Sequence, residues 1–375
     1  MQTLFFYGTL CHEPLLRAVL GHDLANLTIT PGQLAGHSVS QVAGESFPII
    51  HAAPDRFAPG LVVQGLTEAD VTRLDFYESG YLYDLRPMTV ETPGGPVTAM
   101  VYFAQDGAWQ PGAPWDLSAW VAQWGAVTVD AAGEFLRQCG QIDGARVRLI
   151  WPYILARAWG RHLGQAPVPT TRRSGYGWDD IDYAPRPEGF DGFFALRSFE
   201  VRHRRFDGTM SETIRREAFV AYDAALLLPY DPVRDRVLLI EQFRFGPLSR
   251  RDPHPWVFEP IAGLVDAGEA PEDCVRREAM EEAGLDLHRI EPMMKVYASP
   301  GYSSEYFHCF LGLADLQDGD GRIGGLDDEH EDIRAHLMSY DEAMALLESG
   351  EINAGPLAMM LLWLGRERTR LSGLA

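Results

Sequence analysis

The stretch GLVDAGEAPEDCVRREAMEEAGL, residues 263 to 285, decides how this chain is read. From Pro271 onward it is a helix. Proline suits a first helical position, where the N–H it lacks would have had no partner. Glu272 and Asp273 follow at the positive N-terminal end, and Gly284 supplies a left-handed stop. Glu278, Glu281 and Glu282 are three and four residues apart, so their carboxylates share one face of that helix. They also lie in its last two turns, near the negative end of the dipole, which adds to their mutual repulsion. Something positive is expected to offset it. Arg276 and Arg277 supply part, and three converging carboxylates form a site for a hard divalent cation such as magnesium. The plain alternative is a solvated acidic face, but that leaves Gly263 and Glu269 unexplained.

With those two residues the pattern is G-x5-E-x7-R-E-x-x-E-E-x-G-L. It resembles the Nudix box, with Ala279 where a larger aliphatic is usual.

The chain has 375 residues, 46% apolar and 23% charged, which is ordinary for two or three globular domains. A formal charge of −21 argues against general binding to nucleic acid or to anionic membranes. An anionic substrate would therefore need local arginines or metal. The cysteines, Cys11, Cys139, Cys274 and Cys309, form no C-x-x-C pair and read as reduced thiols. No secretory signal opens the sequence and no apolar run is long enough to span a membrane, so a cytoplasmic protein is expected.

Residues 1–105 read as a small α+β domain. Thr3 to Tyr7 is a strand leading into a turn at Gly8-Thr9-Leu10, and Leu15 to Leu20 is helical. Residues 60–64, 88–91 and 97–103 are strands, and Thr67 caps a helix running to Tyr77. Two places carry chemistry. The backbone N–H groups of Tyr7, Gly8, Thr9 and Leu10 suit a carboxylate or carbonyl oxygen. Glu78 lies in Leu74-Asp75-Phe76-Tyr77-Glu78-Ser79-Gly80-Tyr81, with Arg86 beyond. Together these resemble the gamma-glutamylcyclotransferase-like family, a small barrel with helices, although that family usually has Glu-Gly where this chain has Glu78-Ser79-Gly80. The resemblance implies that Glu78 is a general base that frees an α-amine to attack a γ-carbonyl and close 5-oxoproline. The alternative is an exposed carboxylate at a helix end, in a non-catalytic binding or oligomerisation module.

Residues 106–190 read as a helical connector and linker. Residues 110–114 are a break, helices follow through Leu163, and Gln165 to Pro187 is a loop. Pro152 either opens or kinks a helix. The tryptophans read as packing or domain glue rather than a stacking platform.

Residues 191–375 hold strands before and after the acidic helix, which fits an α/β/α sandwich on a mixed sheet. Arg244 follows a strand, Trp256 and Glu259 precede Ala262-Gly263, and Pro300 comes fifteen residues after Leu285, within Ser299-Pro300-Gly301 and ahead of Ser304-Glu305. Asp327 to Arg334 is an acidic loop. Together these resemble the ADP-ribose pyrophosphatase branch of the Nudix hydrolases, and the whole chain resembles bacterial members fused to a cyclotransferase-like domain, some of them linked by name to tellurite resistance.

That resemblance implies roles. Glu278, Glu281 and Glu282 would hold magnesium, or manganese in its place, with the Ala262 carbonyl, and Glu282 would be essential to catalysis. Glu329 would be the base that activates water, on a loop that closes over substrate. Glu331 would be a further ligand or the competing base. Arg244 would contact phosphate, Arg215 or Arg216 the adenine end, and Glu259 would join the substrate site. The chemistry stands by itself: a diphosphate needs its charge neutralised before water attacks, and the water needs a carboxylate within reach. The expected reaction is hydrolysis of ADP-ribose to AMP and ribose 5-phosphate by a homodimer. The alternatives are GDP-mannose or a UDP-sugar as substrate, a bifunctional enzyme, or a first domain that only binds.

Overall fold

The computed structural model describes residues 1–318, 323–325 and 332–373. The chain divides into two compact units, Met1–Ala166 and Pro167–Ala375.

The first unit is built on β1 (Gln2–Phe6), α1 (Glu13–Leu20), β2 (Thr28–Val42), β3 (Pro48–Leu66), α2 (Glu68–Glu78), β4 (Tyr83–Thr92), β5 (Gly95–Ala104) and β6 (Pro111–Pro114). The sheet runs β3-β1-β5-β4-β2, and β2 pairs back to β3, so five strands close on themselves. Closure leaves these strands no free edge. Leu4↔Met100 is a parallel contact, and the other pairings are antiparallel. Alternate residues point inward: Phe5, Val62, Val90 and Val101 are fully buried in the barrel. The opposite side of β1 packs Leu4 and Phe6 against Leu15, Leu16 and Val19 of α1.

Residues 106–190 do not stand apart as a connector. Their helices, α3 (Leu117–Trp120), α4 (Ala126–Phe135) and α5 (Gly144–Leu163), put Trp120, Val127, Phe135, Ile150 and Ile154 into the first unit's core. Trp120, Trp124, Trp151 and Trp159 act as packing, as their composition implied. A π-helical turn, Val121–Gly125, joins α3 to α4, and Pro152 lies inside α5 rather than at its start. The expected loop from Gln165 to Pro187 is also partly strand. β7 (Ile181–Asp191) pairs with β8 (Ala195–His203), which pairs with β9 (Ile214–Val220). β7 is an edge strand whose register shifts between Pro185 and Gly189, the kind of place where a sheet tolerates proline.

The remaining elements are β10 (Asp223–Asp231), β11 (Arg236–Phe243), α6 (Phe245–Arg250), β12 (Trp256–Glu259), β13 (Ile261–Leu264), α7 (Pro271–Ala283), β14 (Arg289–Tyr297), β15 (Tyr306–Leu313), β16 (Ile323–Gly324), β17 (Ile333–Ser339), α8 (Tyr340–Ser349) and α9 (Gly355–Ser372). The sheet order is β14-β15-β10-β11-β17-β16, with β12 beside β11 and β13 beside β10. Only β10 and β15 run parallel among these pairs, so the sheet is mixed. Ala224, Leu226, Leu228 and Leu239 face Met360, Leu361 and Leu364 of α9. The alternate face of β10 and β13 carries α7, which completes the sandwich expected from the sequence.

Candidate functional site

Helix α7 begins at Pro271 and ends at Gly284, whose φ of 60° is the left-handed stop. The N–H groups of Gly284 and Leu285 donate to the carbonyls of Met280 and Ala279. Cys274, Val275 and Ala279 are fully buried and seat the helix, so the acidic face is held against β13. Glu278 and Glu282 are buried there, while Glu281 is half-buried. Gly263 makes this approach feasible. A Cβ on it would stand 1.8 Å from Glu278 Oε1 and 2.5 Å from its Cγ.

Arg277 binds most of this charge. It donates to Glu278 Oε1 at 2.6 Å, to Glu281 Oε2 at 3.0 Å, and to both oxygens of Glu269 at 3.2 and 3.3 Å. This explains Glu269 in the pattern: it anchors the guanidinium that reaches the helix face. Burial alone would make Arg277 easier to deprotonate, but Glu269 and Glu278 outweigh it and keep the cation charged. Burial also raises the carboxyl of nearby Asp266, with Arg277 opposing and Glu269 and Glu281 adding. Glu282 takes a different partner, accepting from the Ala262 N–H at 3.4 Å.

The donor set suits a hard divalent cation: three carboxylates, two of them buried, beside a glycine whose missing side chain leaves them room. Among the described residues no three acidic, histidine or cysteine side chains already converge as a metal-binding group. Arg277 draws Glu278 and Glu281 toward itself, so the carboxylates share a face without sharing a point.

Arg244 and Glu259, both expected at the substrate, meet directly, with Nε donating to Oε2 at 2.6 Å. Sequence reasoning gave no role to Glu305, yet it belongs with them. Its carboxyl is raised by burial, lowered by the charge of Arg244 and raised again by Glu259. The signal was its place after Ser299-Pro300-Gly301, a segment pinned by Phe219 N–H donating to Tyr302 O at 2.7 Å and Ser304 N–H to Phe219 O at 3.0 Å. Arg216 stands elsewhere, exposed on β9 and donating to its neighbour's carbonyl. Arg215 donates to Ser198. Glu329 and Glu331 lie outside the described residues.

In the first unit the structure unites Tyr7, Gly8, Thr9, Leu10 and Glu78 around one cavity of about 30 Å³. Phe47, Pro48, Tyr81, Tyr83 and Tyr102 are also in its wall, and among the described residues no cationic side chain lines it. Gly8 is needed for close approach, since a Cβ there would stand 2.6 Å from Pro48 Cγ. Glu78 is not the exposed helix-end carboxylate of the plain reading, for it is 9% exposed. Burial pushes its carboxyl up to about 8, and Asp75 adds to the rise. Tyr7, Tyr81 and Tyr102 are held well above the usual phenol range by burial first and the charge of Glu78 second, so they remain neutral hydroxyls. Arg86 lies over the ring of Phe103 instead of in the cavity wall.

The NUDIX domain family model matches residues 222–359, and the gamma-glutamyl cyclotransferase, AIG2-like family model matches residues 4–121. The ADP-ribose pyrophosphatase of Escherichia coli (strain K12) is 43% identical over 189 residues, which are 50% of this chain and 90% of that protein. The ADP-ribose pyrophosphatase of Haemophilus influenzae is 36% identical over 49% of this chain and 86% of its own. The GDP-mannose pyrophosphatase of Salmonella arizonae is 31% identical over 46% and 89% respectively. A crystal structure of an ADP compounds hydrolase aligns with 46% of this chain and 89% of its own, at 21% identity and a TM-score of 0.35. With the acidic helix capped, its glycine and arginine in place, and relatives covered almost end to end, the chain belongs to the Nudix hydrolases and is an enzyme of that family carrying a gamma-glutamyl cyclotransferase-like domain ahead of its Nudix domain.

Proposed function

We propose that the second unit hydrolyses the diphosphate of a nucleoside diphosphate sugar, and that its substrate is ADP-ribose, cut to AMP and ribose 5-phosphate. The observation that carries this is the face shared by Glu278, Glu281 and Glu282 against Gly263. Those carboxylates, with the Ala262 carbonyl, would hold magnesium, or manganese in its place. A bound ion of this kind neutralises diphosphate charge and polarises a phosphoryl oxygen. Arg244, held by Glu259, presents its guanidinium to phosphate. Arg215 or Arg216, neighbours on β9, would serve the adenine end. Glu329 is the base that takes the proton of the attacking water, with Glu331 as the competing candidate. The higher identity to ADP-ribose pyrophosphatases than to a GDP-mannose pyrophosphatase favours ADP-ribose.

A homodimer fits the outer three-stranded sheet, where Phe190, Phe193, Phe194 and Leu196 are all at least 40% exposed. A cytoplasmic setting fits four free cysteines. No helix among the described residues is long and apolar enough to cross a membrane.

The test is incubation of the full chain and magnesium with ADP-ribose, GDP-mannose and UDP-sugars, following nucleoside monophosphate release. AMP should appear fastest. Faster cleavage of GDP-mannose would defeat the substrate assignment.

A second reading rests on a separate observation, the buried Glu78 carboxyl whose pKa is raised to about 8. A carboxylate so placed is suited to take a proton from an amine near neutral pH. The first unit would then convert γ-glutamyl compounds to 5-oxoproline. No 5-oxoproline from a panel of γ-glutamyl amines would leave that unit a binding module.

A further inference from the structure

At the turn between β8 and β9 the second unit opens a groove of about 620 Å³, lined by Tyr176, Trp178, His203, Arg204, Arg205 and Phe206 among others. That volume lies within the roughly 300–1,000 Å³ common for small-molecule sites. Three of the lining side chains are aromatic and exposed: Tyr176 is 41% exposed, Trp178 76% and Phe206 89%. Tyr176 and Phe206 are nonetheless fixed. The Tyr176 hydroxyl donates to Arg205 O at 3.1 Å, and its ring stacks on Phe206 with centroids 5.9 Å apart and planes 18° from parallel. The turn beneath them is tight. Arg205 N–H donates to Thr209 O at 2.7 Å and Gly208 N–H to Arg205 O at 2.9 Å.

Cations gather here, although Asp180 lines the groove with them. The protein carries −21 overall, yet residues 202–205 read Arg-His-Arg-Arg. Two of these guanidiniums are already matched, Arg202 by Asp182 at 3.3 Å and Arg204 by Asp180 at 2.6 Å. Arg205 forms no ion pair among the described residues. The groove therefore offers exposed π faces beside one guanidinium that makes no close ion pair among the described residues, though its charge helps hold the Asp207 carboxyl low after the hydrogen bonds from Thr209.

We propose that this groove binds a purine nucleoside monophosphate, with the base stacked on the exposed aromatic faces and the phosphate on Arg205. Aromatic faces accept a base by stacking, and a guanidinium matches phosphate geometry. A purely apolar ligand would leave the Arg205 guanidinium without a hydrogen-bond acceptor in the groove. A polynucleotide would meet the net negative charge of the whole protein. The groove uses none of the residues assigned above to hydrolysis, so it is a second nucleotide site and is measured independently of turnover.

The full chain is photolabelled with 8-azidoadenosine monophosphate and mapped by peptide. Label is expected within residues 174–206, displaced by AMP, and displaced about tenfold less well by adenosine because the charged contact is missing. Arg205→Gln should weaken displacement by AMP by about the same factor, with melting temperature and the rate of ADP-ribose hydrolysis unchanged. Phe206→Leu, which keeps an apolar side chain while removing the ring, should weaken both nucleotide and nucleoside. The proposal is overturned if label falls only outside this segment. Equal displacement by adenosine and AMP, no effect of Arg205→Gln, or stronger displacement by a short single-stranded oligonucleotide than by AMP would each overturn it as well.

Discussion

Gly263 lies directly beneath Glu278, so close that a side chain on it would overlap the carboxylate. A Cβ there would be 2.2 Å from Glu278 Cδ. In Gly263→Ala either β13 retreats or Glu278 swings away. Overpacking of this kind typically costs about 1–3 kcal/mol. The expected outcome is a lowered melting temperature together with slower AMP release. A variant with wild-type rate would mean that Glu278 does not need its present position.

Arg277→Gln leaves Glu269, Glu278 and Glu281 without their shared cation. Urea unfolding in chelator should show a loss of about 2 kcal/mol, from charge-assisted hydrogen bonds that are no longer made. Millimolar magnesium should recover part of it, since an ion bound only by the folded state adds stability. If magnesium recovers none of it, the carboxylates are not where the ion binds.

Glu282→Gln preserves volume and removes one buried charge beside the Ala262 N–H. AMP release should fall by at least about a hundredfold, the scale of losing several kcal/mol of transition-state stabilisation. Glu78→Gln should leave AMP release within about twofold, because surface and volume in the second unit are untouched. The reverse pattern would mean that the hydrolytic site has been placed in the wrong unit.

Glu78 gives a prediction for pH. Its folded pKa of about 8 exceeds the ordinary 4.5, so folding favours the protonated carboxyl. Its contribution to stability is complete below about pH 4.5, is lost as pH rises toward 8, and changes no further above that. Glu78→Gln should therefore melt close to wild type at pH 4.5 and above it at pH 9. Any cyclotransferase rate that uses Glu78 as a base should rise with pH through the same window. A melting difference that does not change with pH would contradict the burial effect.

Arg244→Ala should lower kcat/KM for ADP-ribose by about ten- to a hundredfold, one to two charge-assisted contacts to phosphate. Arg244→Lys should recover only part, since a point charge cannot hold Glu259 and phosphate in the same fork.

Helix α7 was legible because its start, stop and acidic face are all local: Pro271, Gly284 and three glutamates within two turns. The sandwich around it followed from strands lying before and after that helix, β10 among them as a continuous apolar run. The outer half of the first barrel was not legible. β2 and β3 run through Pro31, Pro48, Pro54 and Pro59, and only pairing along the long hairpin makes those segments strands. β7 was hidden for the same reason. The cavity at Glu78 was half visible. Tyr7 to Leu10 and Glu78 were marked by short patterns, but Tyr83 reaches Pro48 O across 35 residues, a distance no local pattern spans. Glu305 shows the same limit, since its character comes from burial first and then from Arg244 and Glu259 on other elements.

Because the guanidinium that calms the acidic turns is supplied by Arg277, from within the same helix, those turns need no ion in order to form. Small zinc domains behave otherwise, remaining unfolded until metal arrives. On the proposed magnesium dependence, a newly made copy of this protein would complete its fold in a cell short of the ion and stand ready, with metal supply governing when it works and not whether it exists.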